Sequence, residues 1–107
     1  MITYSELTEV SVAALTSINK LLPQLSAKAS KLTLNDLQDL ADSESTRIFL
    51  ASDDSSQIIG MLSLIVMRIP TGKKAWIEDV VVDEGARGMG VGKSLMNHAK
   101  ENAKNLG

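Results

Sequence analysis

A glycine-rich segment at residues 84–94 is the part of the sequence whose residue types and spacing are best suited to chemistry. It reads Glu-Gly-Ala-Arg-Gly-Met-Gly-Val-Gly-Lys-Ser and follows an apolar run. Glycine lets a backbone approach a ligand closely, and the unpaired N–H groups at the start of a helix point towards an anion. Arg87 and Lys93 add positive charge beside those amides. The segment therefore predicts a site for phosphate oxygens, with a diphosphate as the natural ligand.

Spacing distinguishes this segment from two common phosphate loops. The nucleotide-triphosphate loop requires glycine five residues before the glycine of Gly-Lys-Ser, and that position is Arg87. The dinucleotide fingerprint Gly-x-Gly-x-x-Gly would need its last glycine at Lys93 or Leu95. What does match is Arg-x-x-Gly-x-Gly over residues 87–92, after a strand-like run that ends in Val-x-Asp.

Glu78 and Asp79 are adjacent carboxylates inside the preceding apolar run. Side chains of adjacent strand residues point to opposite faces, so the two are predicted not to form a carboxylate pair. One of them is expected to approach a cleft, where it could accept a proton from a reacting group. The alternative for each is a solvated or ion-paired carboxylate.

The elements that must position these residues follow from hydrophobic periodicity. Residues 2–5 favour a short strand, and apolar residues at three- and four-residue steps over 7–25 indicate an amphipathic helix. Thr8 is predicted to cap this helix, and Pro23 to end or kink it.

The period changes after residue 46, where alternating and continuous apolar runs predict strands. Val80, Val81 and Val82 form a run without alternation, which predicts a central strand covered on both faces. The predicted elements are a second helix capped by Thr33, strands over 47–51, 58–69 and 75–83, and a last helix from Val91 to Leu106.

Composition restricts the classes of function. The 107 residues carry a formal charge of -2, one His, no Cys and three aromatic residues, and they fit one domain. These counts argue against a disulfide scaffold, a thiolate nucleophile, a metal site and a nucleic-acid partner. The N-terminus does not resemble a signal peptide, and no apolar run has the roughly 20 residues that a membrane span needs. We therefore expect a cytoplasmic protein with no membrane partner.

The loop spacing, the strand before it and the order of the elements together resemble the GNAT superfamily of N-acetyltransferases. The order strand, two helices, hairpin, strand, glycine loop and helix is that of the family's N-terminal two-thirds. The resemblance implies an acyl-CoA N-acyltransferase-like fold of the α+β type, with a mixed, mainly antiparallel sheet of four strands. The run Trp76 to Asp83 is particularly similar to the fourth strand of glucosamine-phosphate N-acetyltransferases.

The resemblance also implies a reaction and the residues that carry it. Acetyl-CoA would donate its acetyl group to a small-molecule or peptide amine, which attacks the thioester directly while a backbone N–H of the fourth strand polarises the carbonyl. Glu78 is the catalytic candidate, because only the neutral amine attacks and a carboxylate can take its proton. The candidate residues for binding CoA are Val80, Val81 and Val82 beside the pantetheine arm, and Arg87, Gly88, Met89, Gly90, Val91, Gly92 and Lys93 around the diphosphate.

The family domain continues beyond this helix with a fifth strand, a helix bearing a thiol-protonating Tyr, and a hairpin. This sequence ends at Leu106 and Gly107, where Gly107 would suit a helix C-cap. We therefore expect a single, incomplete domain over 1–107, impaired in catalysis, whose fourth strand is covered by a second copy or by a complementing C-terminal segment. The alternative is a non-catalytic module that binds CoA or self-associates.

Overall fold

The computed structural model describes residues 1–105 as a four-stranded antiparallel sheet with helices on both faces. The strands lie in the order β1-β2-β3-β4, and every neighbouring pair is antiparallel. The predicted fold class is confirmed, and the positions predicted for Leu106 and Gly107 lie outside the described residues. The elements are β1 (Thr3–Glu6), α1 (Val12–Leu25), α2 (Leu34–Asp42), β2 (Thr46–Ser52), β3 (Ile58–Ile69), β4 (Gly72–Val82), a 3-10 turn (Glu84–Ala86) and α3 (Val91–Asn105).

Alternation along β2 divides the core between the two faces of the sheet. Phe49 and Ala51 pack with Leu95 of α3, whereas Ile48 and Leu50 belong to the cluster formed by α1 and α2. Successive strand residues point to opposite faces, so one apolar strand can supply both layers.

The first helix begins later than predicted and ends at Leu25, the last residue of the predicted range. Its N-cap is Ser11 rather than Thr8, and the Ser11 Oγ accepts the Ala14 N–H at 3.1 Å. The helix starts late because Leu7 still continues the sheet, where its N–H donates to the Ile48 carbonyl at 2.7 Å. Pro23 lies in the last turn of the helix, where it has no N–H to donate to the Asn19 carbonyl, and the helix ends two residues later at Leu25.

The second helix begins as predicted. Thr33 Oγ1 accepts the Asp36 N–H at 3.1 Å, and the Asp36 carboxylate accepts the Thr33 N–H at 2.9 Å. This reciprocal capping box satisfies two backbone donors that a helix start otherwise leaves free.

The fourth strand lies at the edge of the sheet formed by residues 1–105, so the prediction of a central strand is wrong. Val80 and Val82 pack against the cluster beneath α3, and Val81 is buried in the cluster beneath α1 and α2. The apolar run is explained by helices covering both faces of the sheet and does not require a strand on each side.

Candidate functional site

The glycine-rich segment connects β4 to α3 and is held by Asp83. The Asp83 N–H donates to the Ile59 carbonyl at 2.7 Å, which ties the end of β4 to β3. Its carbonyl accepts the Ala86 N–H at 2.8 Å and its carboxylate accepts the Gly85 N–H at 3.2 Å. These bonds close the 3-10 turn and fix where the chain leaves the sheet.

Gln24 of α1 attaches the same turn to the opposite layer. Its Nε2 donates to Asp83 Oδ1 at 2.9 Å, and its Oε1 accepts the Glu84 N–H at 2.9 Å. The Gln24 hydrogen bond lowers the pKa of Asp83, assisted by the Gly85 N–H and the charges of Lys20 and Arg87, although desolvation opposes the shift. Sequence reasoning missed Gln24 because 59 positions separate it from Asp83 and no local pattern links them.

Gly88 and Gly90 shape the exposed part of the loop. Their φ angles are +89° and +75°, in a region that residues with a Cβ rarely adopt. A Cβ placed on either glycine would meet no atom within 4 Å, so open space lies beside both. The Ser94 N–H donates to the Gly90 carbonyl at 3.0 Å, which is the first hydrogen bond of α3. The N–H groups of residues 91–93, in the first turn, therefore have no acceptor within the helix. This is the geometry that receives an anion.

The side chains around the loop differ in what they can contribute. Arg87 is exposed, and its Nε donates to the Val82 carbonyl at 3.2 Å, which leaves the terminal guanidinium N–H groups for other partners. Lys93 and Met89 are also exposed. The Val91 side chain is buried, so this residue can offer a ligand only its backbone.

A β-bulge in β4 brings Glu78 and Asp79 to one site. Met61 pairs with Val81, and Ser63 pairs with Glu78. Between these two pairs β4 has two residues, 79 and 80, whereas β3 has only one, residue 62. Asp79, one of those two, has a φ of +51°. The extra residue resets the alternation of side chains. The prediction that the two carboxylates lie on opposite faces is therefore wrong, because both line the same cavity.

That cavity has a volume of about 410 Å³ and lies between the sheet and the two N-terminal helices. Eight of its twelve lining residues are Leu, Ile or Met, contributed by α1, α2, β2, β3 and the α1–α2 connection. The other four are Thr46, Ser63, Glu78 and Asp79. Glu78 and Asp79 are exposed at its margin, whereas Ser63 is buried. The sequence did not predict this cavity, since its walls come from segments distant in the chain.

Residues 1–105 lack two further features, a helix that could span a membrane and a cluster of metal-binding side chains. No helix there is both long and apolar enough to cross a membrane. In the same residues no group of three or more His, Asp or Glu side chains could hold a metal ion. The candidate site consists of the glycine loop, which follows β4, and the cavity, which Glu78 and Asp79 of β4 help to line.

Comparison with known families gives one clear match. The model of the acetyltransferase (GNAT) family matches residues 14–107, which include the loop, β4 and the cavity-lining residues. No match was found among curated protein sequences.

Solved structures share the fold. An acetyltransferase from Trypanosoma brucei is 27% identical, with a TM-score of 0.74 over 96% of this chain and 76% of its own. The glucosamine-6-phosphate N-acetyltransferase from Arabidopsis thaliana is 22% identical, with a TM-score of 0.76 over 98% of this chain and 77% of its own. An aminoglycoside acetyltransferase from an uncultured soil metagenomic sample, solved with sisomicin, is 21% identical. Its TM-score is 0.85 over 99% of this chain and 72% of its own. At these identities the last two support the fold alone.

Proposed function

Because the chain belongs to the GNAT acetyltransferase family, we propose that it transfers the acetyl group of acetyl-CoA to a primary amine. The observation that carries this proposal is the loop that joins the edge strand β4 to the start of α3. Its two glycines have positive φ angles and open space beside them, and helix amides without an internal acceptor follow. A diphosphate fits this combination of backbone donors and exposed cations.

The binding residues for CoA in this proposal divide by the part of the ligand that they contact. The amides of residues 87–92 hold the diphosphate, with Arg87 and Lys93 as cations and Met89 at the surface. The pantetheine arm runs along the free edge of β4 beside Val80, Val81 and Val82. Glu78 lies four residues before Val82, roughly 13 Å along an extended strand, so a ligand held at the loop needs a long arm to reach the cavity.

Glu78 accepts the proton that the amine must lose, directly or through a water. The neutral nitrogen then forms a bond to the thioester carbonyl carbon, the carbon–sulfur bond breaks, and the proton that the new amide nitrogen loses is taken up by the departing sulfur, so that CoA leaves as the thiol. Residues 79–80 have no partner in the β3 register, so the bulge frees backbone groups that could polarise the carbonyl. The chain forms no covalent intermediate with the acetyl group, and the absence of Cys from the sequence is no obstacle.

Calorimetry with acetyl-CoA, CoA and ATP tests the proposal. We expect acetyl-CoA and CoA to bind and ATP to bind far more weakly, and we expect thiol release when an accepted amine is added. Equal affinity for ATP, or no binding of CoA, would contradict the assignment of the loop.

We also propose that a further protein segment covers the free edge of β4 before the bulge and leaves the edge beside Val80, Val81 and Val82 to the pantetheine arm. Trp76 and Met67, at the outer end of the β3–β4 hairpin, are 40% and 47% exposed. The simplest cover is a second copy of the chain about a two-fold axis, and the other is a complementing C-terminal segment. Sedimentation that finds a stable monomer from micromolar to millimolar concentration would refute the dimer.

The same edge favours a second candidate function, a CoA-binding module that self-associates and does not catalyse. Catalysis needs an acid for the leaving thiolate, a role for which a Tyr is expected. Tyr4 is the only Tyr in the sequence, and it lies on β1. We expect residues 1–107 to bind acetyl-CoA and to transfer acetyl groups slowly until a C-terminal segment from a relative is co-expressed. Equal turnover with and without that segment would contradict this expectation. We place the activity in the cytoplasm.

A further inference from the structure

The cavity between the sheet and helices α1 and α2 has an unusual lining for a site that would receive a charged acceptor. Two-thirds of its lining residues are Leu, Ile or Met, and its only charged residues are Glu78 and Asp79. No Lys, Arg or His among residues 1–105 lines it. The walls are apolar and the charge at the margin is negative.

We propose that the acceptor is a small hydrophobic monoamine, whose apolar body occupies this cavity and whose nitrogen lies at Glu78 and Asp79. This inference rests on the proposed acetyl transfer and adds the chemical class of the acceptor.

Charge complementarity is the first argument. Two carboxylates at the margin attract an ammonium group and repel phosphate or carboxylate groups. A phosphorylated amino sugar would need a cation in the cavity, and no lining residue supplies one. An acceptor with many hydroxyl groups would place them against Leu and Ile side chains, where they would lack hydrogen-bond partners.

The arrangement of polar groups is the second argument. Ser63 pairs with Glu78 across β3 and β4, so their side chains lie on the same face of the sheet. Ser63 is 7% exposed, and its hydroxyl makes no hydrogen bond to another residue of the part described. The polar lining residues Thr46, Ser63, Glu78 and Asp79 all come from strands β2, β3 and β4, whereas α1 and α2 contribute only apolar lining residues. A molecule with one polar end matches this distribution.

The wall of the cavity is built before a ligand binds, which is the third argument. Leu32, in the connection between α1 and α2, is held by Asn19 of α1. The Asn19 Nδ2 donates to the Leu32 carbonyl at 3.0 Å, and the Leu32 N–H donates to Asn19 Oδ1 at 2.8 Å. The volume of about 410 Å³ lies within the range of small-molecule sites.

A homologous series of amines tests the class of acceptor. Binding of n-butylamine, n-pentylamine and n-hexylamine to the chain would be measured by calorimetry without acetyl-CoA, with n-hexanol, hexanoate and glucosamine 6-phosphate as comparisons. Affinity should rise about three- to fourfold per added methylene, the factor expected from burying one such group. The amine should bind at least tenfold more tightly than the alcohol of equal length, and hexanoate should bind least.

Two variants locate the binding. Leu40→Lys puts a cation into the cavity wall and should lower amine affinity at least tenfold, whereas Leu34→Lys, an exposed position of the same helix, should not change it. Glu78→Gln replaces an exposed side chain of equal size and should reduce the preference for amine over alcohol even if Leu40→Lys fails to fold.

The outcomes separate this inference from the proposed function. If acetyl-CoA binds but the alkylamines do not, or if glucosamine 6-phosphate is acetylated faster than hexylamine, the hydrophobic acceptor is wrong and acetyl transfer stands. If alkylamines bind and CoA does not, the proposed function is wrong and the acceptor role fails with it. An affinity that is independent of chain length also overturns the assignment.

Discussion

The glycine loop and the cavity lie at successive positions along β4, but they are built in different ways. The loop presents backbone amides, and its shape depends on hydrogen bonds among Asp83, Gln24 and their neighbours. The cavity is walled by side chains from two helices and three strands, and its chemistry depends on which side chains those are. A site made of backbone suits a ligand shared by a whole family, whereas a site made of side chains can change its ligand through single substitutions.

The contrast is tested most strongly by Glu78→Gln. If the cavity side performs the chemistry, this variant should lower the rate of acetyl transfer about 100-fold at neutral pH, because the carboxylate no longer takes the amine proton. The affinity for acetyl-CoA should not change. Glu9→Gln removes an exposed carboxylate that does not line the cavity and serves as the control. A normal rate in Glu78→Gln would assign the proton to another acceptor.

Gly90→Val tests the loop side. The variant forces a β-branched residue to a φ of +75° and fills space that the diphosphate needs, so acetyl-CoA affinity should fall about tenfold or more. Gly72→Val is the matched control, since Gly72 also has a positive φ and open space but is the first residue of β4, at the opposite end of the strand from the loop. Equal losses of CoA affinity in both variants would show a general loss of structure.

Gln24→Ala sharpens the comparison, because it removes the contact between the loop and the helix that also walls the cavity. It leaves Asp83 Oδ1 and the Glu84 N–H without a partner and should lower the free energy of unfolding by about 1 kcal/mol. Acetyl-CoA affinity should fall several-fold, measured by calorimetry. Gln38→Ala, which removes a solvent-exposed hydrogen bond within α2, is the control for loss of a glutamine.

The same anchor predicts a dependence of stability on pH. The pKa of Asp83 is lowered in the folded chain, so its contribution to stability is complete above the unfolded value of about 3.9. The contribution is lost as the pH falls through the lower folded value. Urea unfolding at pH 7 should find Asp83→Asn less stable than the original chain, and the difference should close in acid. A difference that persists at pH 2 would contradict this role.

Lys93→Ala should have the smallest effect. Lys93 is exposed and the backbone amides make most of the contact with the anion, so CoA affinity should fall only about two- to threefold. Lys100→Ala, an exposed lysine farther along α3, controls for the change in net charge. A loss as large as that of Gly90→Val would mean that side-chain charge dominates the loop.

Local patterns in the sequence predicted most of the elements. Thr33 with Asp36 three residues later specifies a capping box, and the run over 58–69 gave the bounds of β3 as observed. The spacing of Arg87, Gly90 and Gly92 predicted a loop between a strand and a helix, which lies where expected. Each of these features depends on residues within a few positions of each other.

Only the tertiary structure decided how distant residues meet. It placed Gln24 of α1 beside Asp83, at the end of β4. The bulge at Asp79, which turned two adjacent carboxylates to one cavity, arises from the register of β4 against β3. Backbone propensity is a local property that the sequence carries in short windows. Strand register and cavity walls depend on contacts between remote segments, and those contacts exist only in the folded chain.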